Sequence, residues 1–214
     1  MGAAPKRTVG LDFDDEIRLD LKNRGILIMD FSVGDADDNP ESEMPALGFT
    51  QKLYRDLIHA ALVQRPQRDI WLLVNSAGGD VYQGLAIYDA IKMVSASGIN
   101  INTCGFGIAA SMAAVVMQAG TRRYSLPSTQ YLIHQIKQGQ IFSFEEVSEK
   151  EESVGELKRL NSLVMNTLAE RSGVPLQDLL KLTKKTDHWV DAEGAKNFGP
   201  HGLIDEIISS LPIK

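Results

Sequence analysis

Cysteine is almost missing from this chain of 214 residues. Cys104 is the only one, so no disulfide can close within it. That usage fits a reducing compartment, and a cytoplasmic protein is the expectation. An excess of positive charge is missing too. Lys and Arg number 22 against 28 Asp and Glu, for a net charge of −6. That is the wrong sign for a general nucleic-acid binder. The opening stretch, MGAAPKRTVGLDFDDEIRLD, has no apolar segment, so no secretory signal is expected. From Met93 to Thr121 no residue is charged, but Gly98, Asn100, Asn102, Thr103, Gly105 and Gly107 fill the first half of that run. Its continuous apolar part, around Phe106 to Met117, is too short to span a bilayer. Metal-binding patterns are lacking as well: the four histidines are scattered, with neither H-E-x-x-H nor paired cysteines. No metal is expected.

What is present reads as one α/β domain with a largely parallel sheet. Residues 1–23 are polar and read as a mobile arm or loop, and 24–214 as a single domain. Apolar strands are expected at 24–31, 69–76, 98–107 and 128–135, with a last strand near 203–209. Helical spacing marks 49–65, 81–97 and 108–120, the last closed by Gly120 as its C′ residue. The acidic, proline-bearing stretch 32–48 reads as a surface loop. Ser143 and Glu146 form a capping pattern, and Phe142 and Val147 a hydrophobic staple, opening a helix that Gly173 and Pro175 end. A shorter helix is expected over 175–184.

Three places hold candidate chemistry. The turn NSAGGD (75–80) puts two glycines directly after a buried strand, where positive φ leaves N–H groups free to hold an anion. A tight strand-to-helix turn explains the same residues, and without GK[ST] no P-loop is supported. Ser111 is the one hydroxyl in GFGIAASMAAVV, falling just after a strand and near the start of the following helix. It is either a satisfied core serine or a nucleophile whose oxyanion the Met112 N–H would hold. GFGIAA also matches a dinucleotide fingerprint, but no acidic residue ends the next strand; Arg122, Arg123 and Ser125 stand there. A serine nucleophile needs a base. His134 closes the strand QYLIH, while His59 reads as packed in a helix, His188 adjoins Trp189, and His201 sits in a turn. Asp187, Asp191 and Asp205 are the acidic candidates, with Asp191 equally explained as a helix N-cap.

Three stretches in order, DIWLLVNSAGGDVYQGLAIYDAI, GFGIAASMAAVVMQAGTRRYSLPSTQYLIHQ and DHWVDAEGAKNFGPHGLIDEII, resemble the proteolytic subunit of the Clp protease family. The resemblance implies a crotonase-like ββα superhelix with a protruding handle helix. It implies Ser111 as nucleophile, His134 as base, Asp187 as the third member, and the Gly79 and Met112 N–H groups as the oxyanion hole. It also implies a serine endopeptidase acting on unfolded polypeptides without a cofactor, two stacked heptameric rings, and an AAA+ unfoldase partner that spends ATP.

The departures bear on assembly more than on chemistry. Ala77 stands in place of the family's proline, Ile108 in place of a glutamine, and Lys185-Thr186 in place of an Asp-Arg pair. After His134, IKQGQ lacks the proline and paired glycines of the family's handle. Two alternatives are a non-catalytic subunit of a mixed ring with a paralogue, and a crotonase-fold acyl-CoA enzyme, which needs no serine–histidine pair.

Overall fold

The strand Ile70–Ser76 is apolar without a break from Ile70 to Val74, and the two-residue period of a strand sorts these side chains onto two faces. Ile70, Leu72 and Val74 enter the main core, while Trp71 and Leu73 join a smaller cluster with Cys104 and Tyr124. The computed structural model describes residues 13–34, 48–62, 69–136 and 147–212. In chain order the elements are α1 (Phe13–Asn23), β1 (Ile26–Met29), α2 (Phe49–Leu62), β2 (Ile70–Ser76), α3 (Val81–Ala96), β3 (Ile101–Ala110) and α4 (Met112–Met117). Then come β4 (Arg123–Ser125), β5 (Gln130–Ile133), α5 (Val147–Ser172), α6 (Leu176–Leu182), β6 (His188–Asp191), α7 (Ala192–Lys196) and β7 (Glu206–Ile207).

The sheet order is β1-β2-β3-β4-β7, all parallel. β3 holds it together by changing partner along its length. Thr103 to Gly105 pair with β4, and Ile108 to Ala110 pair with β5. On its other edge the β2 register breaks between Val74↔Gly105 and Ser76↔Ala109, so β3 bulges there. Gly107, at φ 82°, makes the bulge, and Asn75 Oδ1 accepts the Ile108 N–H at 3.3 Å. β5 in turn carries β6 antiparallel, with Ile133 opposite His188.

The main core packs α2, α3, α4 and α5 against one face, with Leu57, Ile87, Ile91, Met117 and Leu160 fully buried. On the other face the Trp71 and Tyr124 rings lie 4.9 Å apart. Burial there pushes the Cys104 thiol up to about 12, which keeps it protonated and inert. Behind α4, the buried Arg123 is saturated. Its guanidinium donates to Gln118 Oε1 (2.9 Å), to the carbonyls of Gly202 (2.9 Å), His201 (2.9 Å) and Arg171 (3.2 Å), and to both carboxylate oxygens of Asp205. Asp205 is therefore a structural partner of Arg123.

Several expectations change. Residues 13–23, read as arm or loop, form helix α1, tied to α2 by a Lys22–Asp56 ion pair. Ile108 to Ala110, read as the start of a helix, are strand, because β5 supplies the backbone partners. Gly120 is not a left-handed C′ residue: Gln118 is the C-cap, and a Cβ on Gly120 would lie 2.4 Å from Thr103 Oγ1. Close approach explains that glycine. His59 is exposed rather than packed. The three-residue strand β4 adds to the expected strands, and of 203–209 only Glu206–Ile207 pairs as β7. The capping pattern at Ser143 and Glu146, with its staple residue Phe142, and most of the 32–48 loop lie outside the described residues.

Candidate active site

β2, β3 and β5 all deliver their C-terminal ends to one cleft, beside the point where β3 changes partner. β3 runs straight into Ser111, which has φ 55° and ψ −123°. Among the described residues it is the only non-glycine with positive φ. Such a conformation costs roughly 1–3 kcal/mol and persists only where the surroundings impose it. Here they do. The Ser111 N–H donates to the Leu132 carbonyl at 2.9 Å, and its carbonyl accepts from Ala114 at 3.1 Å. The turn throws the side chain out of the sheet, although no G-x-S-x-G is present.

His134 follows β5 directly, two residues beyond Leu132. Its Nε2 lies 2.7 Å from Ser111 Oγ, and its Nδ1 lies 2.7 Å from the Gln135 carbonyl oxygen. A carbonyl can only accept, so Nδ1 carries the proton and Nε2 presents a lone pair to the Ser111 hydroxyl. That is the tautomer a general base needs.

Asp187 precedes β6. Continuing the antiparallel register one step past Ile133↔His188 places it across from His134. It is exposed, and His134 Nδ1 lies against the Gln135 carbonyl oxygen. Asp191 caps α7, accepting the Gly194 N–H at 2.7 Å.

The glycine turn assigns its amides one by one. Gly78 N–H donates to Ser76 Oγ at 3.2 Å, and Asp80 N–H to the Val33 carbonyl at 2.8 Å. Val33 N–H reaches the Gly78 carbonyl at 2.7 Å, so the bridge uses the groups on either side of Gly79. Gly79 N–H has no acceptor among the described residues, and neither has Met112 N–H, at the first position of α4. Both glycines are required here. A Cβ on Gly79 (φ 142°) would lie 2.2 Å from the Val33 carbonyl oxygen. One on Gly78 (φ 91°) would lie 2.6 Å from the Ala110 oxygen and 2.8 Å from Ser111 Cβ.

Gly79, Ser111, Met112 and His134 line one cleft of about 330 Å³, part of it open to solvent. Its remaining wall is apolar: Val81, Val115, Ile133, Ile136, Val164 and Leu168. Among the described residues no group of carboxylates, histidines and cysteine could hold a metal ion, and no helix is long and apolar enough to cross a membrane. Nothing in the one-dimensional pattern pointed to Gln135 as the partner of Nδ1, because a backbone carbonyl leaves no mark on residue identity.

A family model for Clp protease matches residues 48–211. Over 147 residues, 68% of the chain, it is 36% identical to the ATP-dependent Clp protease proteolytic subunit 1 of Chlamydia felis, covering 68% of that protein. It is 35% identical to proteolytic subunit 2 of Chlamydia abortus and 36% identical to that of Chlamydia muridarum, over 67% and 68% of those proteins. The chain belongs to the Clp protease family, and its mostly parallel sheet is that family's crotonase-like fold.

Proposed function

We propose that the chain is the peptidase subunit of an ATP-dependent Clp protease, with Ser111 as nucleophile and His134 as its general base. The observation that carries this reading is the 2.7 Å contact between Ser111 Oγ and His134 Nε2, made at a strained strand-to-helix turn.

Ser111 Oγ attacks the scissile carbonyl as His134 Nε2 takes its proton. The oxyanion sits between the N–H groups of Gly79 and Met112, each such donor contributing about 3 kcal/mol to the barrier reduction. The C–N bond breaks, the leaving amine takes the proton from His134, and an acyl-Ser111 ester remains. Water, deprotonated by the same nitrogen, hydrolyses it. The Asp187 carboxylate, one register step past His188, contributes negative charge opposite the imidazolium. The apolar wall favours an apolar substrate side chain next to the scissile bond, which suits polypeptides delivered unfolded. No step calls for a cofactor within the subunit. ATP would be spent by an AAA+ unfoldase feeding a ring of these subunits in the cytoplasm.

The relatives' names include both a subunit 1 and a subunit 2, which supports a paired paralogue and a mixed ring as a second reading of the assembly. The test is direct. A fluorophosphonate should label Ser111, and Ser111→Ala should abolish cleavage of a short fluorogenic peptide with an apolar residue at the cut site. If the purified protein and its mixed assembly neither label nor cleave, the reading fails. Labelling confined to a co-purifying paralogue would make this chain the non-catalytic subunit.

A further inference from the structure

We infer that Asn161 is a positioning residue for catalysis, acting on His134 through the Gln135–Ile136 peptide. The inference rests on the peptidase reading of Ser111 and His134.

One peptide unit carries the argument. Its carbonyl oxygen, from Gln135, accepts from His134 Nδ1 at 2.7 Å. Its N–H, from Ile136, donates to Asn161 Oδ1 at 3.0 Å. The peptide group is planar, so fixing the N–H end fixes the direction of the carbonyl. Asn161 sits on α5, outside the sheet, and the segment it holds lies just past Ile133, the last residue of β5. Beyond Ile133 the sheet no longer fixes this backbone, and a side-chain clamp takes over.

A second leg steadies the clamp. Asn161 Nδ2 lies 3.5 Å from Gln135 Oε1, and Gln135 Nε2 donates to the Leu180 carbonyl of α6 at 3.0 Å. The amide orientations are mutually forced. Leu180 and Ile136 each offer a single role, acceptor and donor, leaving Gln135 Oε1 to face Asn161 Nδ2. The carbonyl that sets the reactive tautomer is thus held from α5 and α6 together. Asn161 is not among the residues lining the cleft, so its loss should alter turnover rather than substrate affinity. Ile136 supplies the N–H that the clamp needs, and a proline at that position would have none.

The experiment uses the full-length assembled protein, a short fluorogenic peptide and a fluorophosphonate. Asn161→Ala should lower kcat about tenfold to a hundredfold, the range expected when a reacting group is misplaced. KM should stay within about twofold, and the rate of Ser111 labelling should fall with kcat. Asn161→Asp keeps an oxygen for the Ile136 N–H and should recover most of the loss. Asn161→Ser, too short to reach that amide, repeats the test should the alanine variant not fold. The inference is overturned if the folded alanine or serine variant keeps the parent kcat, if KM moves in place of kcat, or if the aspartate variant is no better than alanine. A parent protein that takes no label at Ser111 overturns the peptidase reading instead.

Discussion

Two polar clusters flank α4, and they treat their hydrogen bonds in opposite ways. Around Arg123, guanidinium, carbonyls and carboxylate are matched, and the group is sealed to 3% exposure. Around Ser111, two backbone N–H groups have no acceptor among the described residues, a non-glycine residue is strained, and a cleft keeps the hydroxyl within reach of solvent. A saturated network stabilises and can do little else. Unsatisfied donors and strain are stability given up, and they mark where a transition state would be bound. If that contrast is right, substitutions in the first cluster should move stability and leave turnover alone. Those in the second should do the reverse.

The largest effect is expected at the nucleophile. Ser111→Ala should reduce peptide cleavage by more than about 10⁴-fold, with circular dichroism and assembly unchanged. Residual activity that persists and still takes the phosphonate at another residue would break the assignment. Next comes Gly79→Ala. The added Cβ meets the Val33 carbonyl oxygen, and the backbone must turn away from φ 142°. Turning the Gly79 N–H should lower kcat about 10²- to 10³-fold, measured per labelled active site so that any unfolded fraction is discounted. A Gly79→Ala enzyme of normal kcat would remove this amide from the oxyanion hole.

The sequence showed the strand–turn–helix unit around Ser76 because a long apolar run stops at glycine, and it marked the strand and helix around Ser111 with the helix begun three residues early. It was silent on β4, whose three residues are too few to display a period, and on α1, where charge masks the pattern. Ile108-Ala109-Ala110 misled for a specific reason. Alanine favours helix, yet the open edge of β5 captures these residues as strand, a tertiary contact overriding local propensity. At the site, Ser111, His134 and Met112 were identifiable as candidates by residue type, each with a structural reading beside it, and Gly79 only through the family resemblance. The clamp on His134 was not, since it runs through a carbonyl and an amide contributed by the backbone of Gln135 and Ile136.

In the saturated cluster the effect should be on stability alone. Burial works to raise the Asp205 carboxyl, but the hydrogen bonds and charge of Arg123 outweigh it and hold the group below the usual carboxylate range. A depressed folded-state value contributes stability that is present above the unfolded value, about 3.9. That contribution is lost as the pH falls through the folded one. Asp205→Asn should therefore lower neutral-pH stability by about 2–3 kcal/mol. This is less than the ~3–5 kcal/mol of a fully buried pair, since the Asp205 side chain is 31% exposed. The gap between parent and variant melting temperatures should close in acid. Peptide kcat per active site should stay at the parent value, and a fall of tenfold or more would join the two clusters functionally.

The smallest effect is a reversal of sign at Ser111. Alanine and glycine there both delete the hydroxyl and its contact with His134, so their difference isolates the backbone. At an ordinary helix or strand position, glycine is less stable than alanine by roughly 0.5–1 kcal/mol, because the unfolded glycine chain has more freedom to lose. At φ 55° and ψ −123° the alanine Cβ retains the strain that glycine escapes. Relief of roughly 1–3 kcal/mol should outweigh the entropy difference. Ser111→Gly is thus expected to melt above Ser111→Ala, by about 1 kcal/mol in denaturant unfolding. If glycine melts below alanine, the turn is relaxed in solution, and the hydroxyl owes its position to His134 rather than to strain imposed by β3 and β5.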